Sequence, residues 1–79
     1  MPNLDTTGLI CPLPVLRARK ALKTLAVGEV LEVRASDPAS ARDFPAFCEA
    51  AGHRLLDACE QEGLFLFRIE KGPVGGKDA

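Results

Sequence analysis

The run Leu4-Asp5-Thr6-Thr7-Gly8-Leu9-Ile10-Cys11-Pro12-Leu13-Pro14 passes from a strand through a turn into a helix. Leu4-Asp5-Thr6-Thr7 reads as a short first strand, and Gly8 as the turn that follows. Pro12 suits the first helical position, because its fixed φ fits a helix and its missing N–H would have had no partner there. Cys11 then falls at the helix N-cap. Free N–H groups of the first turn and the positive helix end would surround its sulfur and favour the thiolate, which is the nucleophilic form. The plainer reading is a small apolar residue at a strand-to-helix corner.

From 12 to about 26 the pattern is helical, with Gly28 ending the element. Glu29 to Ala35 reads as a strand with Leu31, Val33 and Ala35 on one face and Glu32 and Arg34 on the other. Asp37-Pro38 starts a second helix, Asp37 as N-cap and Pro38 in the first position, and Gly52 stops it. Ala41, Phe44, Phe47, Cys48 and Ala51 mark its buried side, and Pro45 inside it predicts a kink or a loose first turn. Two last strands, 53–60 and 64–70, flank a Gln61-Glu62-Gly63 hairpin turn. The order β-α-β-α-β-β predicts a two-layer α/β sandwich, a four-stranded mixed sheet with both helices on one face. Residues 1–72 form the expected domain and 73–79 a flexible tail.

The chain has 79 residues, 47 % hydrophobic and 27 % charged, which suits one small globular domain. Neither a signal peptide nor a membrane-spanning run is visible, so the expected setting is the reducing cytoplasm and the expected state a monomer. Three cysteines cannot all pair in disulfides. Cys48 reads as a core residue, His53 as a corner histidine, and Cys59 as lying near a strand end. No spacing of ligand pairs supports a metal, and no cofactor motif appears.

At roughly 100° per residue, the first helix has two unlike sides. Val15, Ala18, Ala21, Leu22 and Leu25 face the sheet. Arg17, Arg19, Lys20 and Lys23 lie outside, with Leu13 and Leu16 among them. An apolar centre with a basic rim, beside the thiol, suits an acidic partner protein. A solvated face with two incidental leucines is the plain alternative.

The run from Asp5 to Pro14 closely resembles the signature of the TusA/SirA family of small sulfur-carrier proteins, a Cys-Pro-x-Pro after a short strand and a glycine. Arg19-Lys20, Gly28-Glu29, Asp37-Pro38, Arg42-Asp43, Pro45 with Phe47-Cys48, His53 and the closing Ile69-Glu70-Lys71-Gly72 also fit that pattern. The resemblance implies a fold similar to the C-terminal domain of bacterial translation initiation factor three. It implies that Cys11 accepts sulfane sulfur from a cysteine desulfurase or rhodanese-type donor, holds it as a persulfide and passes it to a downstream acceptor protein. Gly8, Pro12 and Pro14 would shape the thiol's support, and the basic face would meet the donor. Branches of the family serve tRNA 2-thiouridine formation, molybdenum-cofactor synthesis, sulfur oxidation and selenium metabolism, and nothing here chooses among them.

A small RNA-binding module is the alternative, along with a regulatory interaction protein that carries no sulfur. Against direct nucleic-acid contact stand the net charge of −1 and the absence of Trp and Tyr.

Overall fold

The structure, a computed structural model, describes residues 2–73. Six elements follow the expected order: β1 (Asn3–Thr6), α1 (Leu13–Lys23), β2 (Val30–Ala35), α2 (Ser40–Ala51), β3 (Arg54–Gln61) and β4 (Leu64–Glu70). The strands lie in the order β1-β2-β4-β3. β1 runs parallel to β2, and the other two pairings are antiparallel, so the sheet is mixed as expected. Parallel neighbours need a crossover connection, and α1 supplies it. β3 and β4 need only a two-residue turn: Glu62 and Gly63 both have positive φ, 52° and 82°, the pattern of a type I′ hairpin.

Leu31, Val33 and Ala35 of β2 and Phe67 and Ile69 of β4 are buried with Ala18 and Leu22 of α1 and Phe44 and Cys48 of α2. Alternate strand residues share a face, so both helices lie on the same side of the sheet. Phe44 stacks on Phe67 with ring centroids 4.6 Å apart. On the other side, Arg68 bridges Glu32 at 3.5 Å and Asp57 at 3.9 Å across three strands. A β-bulge between Leu55 and Asp57 makes that possible. It spends Leu56 as the extra residue and turns Asp57 toward Arg68.

Several boundaries differ from the sequence expectation. α1 begins at Leu13, with Pro12 as N-cap, and stops at Lys23. Thr24 ends it by donating its hydroxyl back to the Ala21 carbonyl at 2.7 Å. Ala26 then donates to Glu29 Oε1 at 2.8 Å, in the turn toward β2. α2 begins at Ser40 after a tight turn in which Ser40 N–H reaches Asp37 O at 2.9 Å. Asp37 is therefore not its N-cap. Ser40 is buried and Ala41 exposed, because the inward row is Ser40, Phe44, Cys48 and Ala51. β3 starts at Arg54, one residue after the expected position, because His53 turns inward to accept the Gly72 N–H on Nδ1 at 3.0 Å. The expected tail, 73–79, lies outside the described residues except for Pro73.

Phe44 is fully enclosed, so Phe44→Ala should cost about 3–5 kcal/mol of stability. Urea denaturation checks this. A loss under about 1 kcal/mol would mean that the core re-forms around the gap.

Candidate functional site

The parallel pairing of β1 and β2 ends both strands at the same edge of the sheet, with Thr6 opposite Ala35. The loops that follow therefore lie side by side, one leading to α1 and the other to α2. Thr6, buried, donates its hydroxyl to Arg34 O at 2.5 Å. Thr7 donates both its N–H and its hydroxyl to Asp5 Oδ1, at 3.0 and 2.7 Å, which holds the Asp5 carboxyl below its ordinary pKa. Gly8, at φ 86°, then makes the turn that only glycine adopts freely. Its N–H reaches Ser36 Oγ at 2.9 Å in the neighbouring loop. Cys11 N–H donates to Asp37 Oδ2 at 2.6 Å. The other Asp37 oxygen receives Ala39 N–H at 3.2 Å, so one carboxylate ties the two loops together.

Cys11 is exposed, as expected. Its electrostatic setting is the reverse of the expected one. The thiol pKa is raised, first because the thiol donates a hydrogen bond to Asp43, then by partial desolvation and the charges of Asp43 and Asp37, with Arg42 opposing. The helix N-terminus has little to set against this. Pro12 and Pro14 carry no N–H, and the Leu13 N–H is taken by Ile10 O at 2.9 Å. Pro14 is also buried, so it anchors the first turn of α1 from the inside.

The outer side of α1 matches the expected phasing. Leu13 and Leu16 are exposed, and Arg17, Arg19, Lys20 and Lys23 surround them. Leu16, Arg19, Lys20 and Lys23 line a shallow groove of about 300 Å³. Ile10, 68 % exposed, extends the apolar strip to the thiol and was not foreseen. Asp37, Arg42 and Asp43 were visible as a helix start and as part of the family pattern, with no sign of a link to Cys11. Their place beside Cys11 follows from the parallel pairing, which a β-α-β order already suggests.

The other cysteines go elsewhere. Cys48 is buried on α2, where desolvation pushes its thiol to about 11. Cys59 is exposed on β3, the edge strand opposite β1, and pairs with Leu66 on the helix-free face. Among the described residues no helix is long and apolar enough to cross a membrane.

The sequence matches the family described as sulfurtransferase TusA over residues 3–71. The chain belongs to the TusA family. A protein of Neisseria meningitidis serogroup A is 54 % identical over 68 residues, 86 % of this chain and 92 % of that one. The sulfur carrier protein TusA of Allochromatium vinosum is 48 % identical over 69 residues, 87 % of this chain and 91 % of that one. The crystal structure of a SirA-like protein from Desulfitobacterium hafniense superposes with a TM-score of 0.80 at 31 % identity, covering 92 % of this chain and all of that one. The α/β fold expected from the element order, a four-stranded mixed sheet with two helices, is thus the one observed.

Burial of Cys48 carries a pH consequence. Its folded pKa lies above the unfolded value, so the unfolded chain loses its proton first and stability falls as pH rises from 9.0 toward about 11. Urea titrations across that range should show a steeper loss for the parent chain than for Cys48→Ala. Equal slopes would mean that the thiol is not shielded.

Proposed function

We propose that this chain is a sulfur carrier that receives sulfane sulfur on Cys11 and holds it as a persulfide. The carrying observation is the exposed thiol at the head of α1, set on a loop that two cross-loop hydrogen bonds hold to the start of α2. Persulfide transfer needs a sulfur that a partner can reach from outside, once to load it and once to unload it. Cys48 is enclosed, and Cys59 lies on the edge strand opposite β1, in a groove of about 450 Å³ with Leu64, Phe65 and Leu66, away from the basic residues of α1.

Loading is a thiol exchange. The Cys11 sulfur attacks the outer sulfur of a donor persulfide, the donor S–S bond breaks, and the donor keeps its inner sulfur as a thiol. Unloading repeats the exchange toward a second thiol protein. Neither step needs a metal, cofactor or external oxidant. Gly8 sets the turn, Pro12 and Pro14 fix the head of α1, and Ile10, Leu13 and Leu16 form the apolar contact. Arg17, Arg19, Lys20 and Lys23 give it a basic rim that suits an acidic surface on a cysteine desulfurase or rhodanese-type donor. The reducing cytoplasm suits a protein whose three cysteines are all free.

The test is mass measurement after incubation with a cysteine desulfurase and cysteine. One sulfur atom should be gained, be lost to reductant, and be absent in Cys11→Ser. Equal gain in Cys11→Ser would move the site to another cysteine. Reversing the charges of Arg19 and Lys23 together, or Leu16→Glu, should slow loading by about tenfold or more while leaving the thermal transition in place. Unchanged loading would remove this face from the docking surface.

A further inference from the structure

At the end of the sheet away from Cys11, β4 runs out beside the start of β3 and the C-terminal end of α2. Lys71 still follows the ladder, donating its N–H to Glu29 O at 2.8 Å and accepting the Gly28 N–H at 3.0 Å. The next amide leaves it: Gly72 N–H turns to His53 Nδ1 at 3.0 Å. Gly72 is buried, and a Cβ on it would sit 1.7 Å from the carbonyl oxygen of Gly52, the C-cap of α2. Only bare backbone fits there, so the end of β4 is seated on the end of α2, with one imidazole nitrogen holding it. The histidine is itself fixed. Its backbone N–H reaches Cys48 O at 2.9 Å, and its ring tilts against Phe47 with centroids 5.6 Å apart.

We propose that His53 and Gly72 form a pH-sensitive latch that ties the end of β4 to the end of α2. An imidazole nitrogen accepts a hydrogen bond only while it carries no proton. Protonation puts an N–H on Nδ1, facing the Gly72 N–H, and two donors cannot bond. The surrounding charges do not offset this. Arg54 of β3, Glu70 of β4 and Lys71 line one cleft of about 500 Å³ with His53. Glu70 is bridged to Arg54 at 3.9 Å, and Lys71 Nζ donates to Leu25 O at 2.9 Å. Two cations and one anion oppose a further positive charge. The carbonyl end of α2 favours one, and Cys48, pushed up to about 11, stays neutral throughout. The hydrogen bond sets the sign because it is in direct contact with the titrating nitrogen. The unfolded chain therefore takes the proton first, near about pH 6.5. Stability falls as pH drops through that point. The latch is shut at neutral pH and opens in weak acid, freeing the end of β4 from α2.

His53 is the chain's one histidine, so its ring titration is read without overlap. Exchange of the Gly72 amide with water is followed by NMR from about pH 8 to about pH 5, the span in which a histidine changes charge. Each rate is divided by that of an unstructured amide at the same pH. Protection should drop roughly fivefold or more in acid, the worth of one hydrogen bond. The drop should share the midpoint of the ring titration, which should lie below that of an unfolded histidine. His53→Asn sets an acceptor oxygen near the place of Nδ1 and has no proton to gain, so its protection should hold across the range. His53→Ala should lack it throughout. Protection that stays level in the parent while the ring titrates overturns the latch, and so does full protection in His53→Ala. The parent series decides the matter even where a variant fails to fold.

Discussion

The parallel ladder between β1 and β2 governs where chemistry can occur in this fold. β1 has four residues and sits at the sheet edge, so its backbone ladder alone is a weak anchor. Side chains strengthen it where the strands end. Thr6 bonds to Arg34 O, Gly8 to Ser36 and Cys11 to Asp37, each bond bridging more than 25 residues of sequence. These contacts turn two separate loops into one surface. They also lock the start of α1 to the start of α2, while Ala18, Leu22, Phe44 and Cys48 lock the helix bodies to the sheet below. The thiol stands on a rigid base although it lies in a loop.

Much of the architecture was legible because it rests on period and punctuation. Leu31, Val33 and Ala35 alternate inward, as do Phe67 and Ile69, and all five are buried. The α1 phasing placed Ala18 and Leu22 inside and Leu13 and Leu16 outside, and each is found there. What escaped depends on contacts distant in sequence. The Leu56 bulge, which brings Asp57 opposite Arg68, leaves no local mark in the sequence. Asp37 looked like an N-cap because an Asp before a Pro usually is one. Its oxygen found the Cys11 N–H instead, and α2 began two residues beyond Pro38. Ser40 displaced Ala41 from the interior once that start moved.

The electrostatics of Cys11 show how a sound general rule can lose to particular residues. A helix N-terminus favours an anion through its free N–H groups and its dipole. Here prolines occupy two of those places, and the Leu13 N–H is taken by Ile10 O. The dipole has little local expression, while the Asp43 and Asp37 carboxylates push the thiol's pKa up. A short-range contact outweighs a diffuse field. The same prolines that fix the thiol's direction thus weaken the effect that was expected to ionise it.

The site that results is bipolar. Asp37 and Asp43 act on the thiol from the start of α2, while the outer side of α1 carries the bases together with the exposed Leu13 and Leu16. Apolar contact alone would let a partner slide or rotate, because it has no direction. Opposite charges on the two flanks remove that freedom, since a partner turned end for end would set like charges together. Sulfur exchange requires the attacking and leaving sulfurs to be aligned, and a misplacement of about 1 Å can cost roughly a hundredfold in rate. Orientation is therefore the harder demand on a small carrier than affinity. On the proposed reading of Cys11 as the carrier thiol, the acids at the start of α2 and the bases of α1 would serve that orientation.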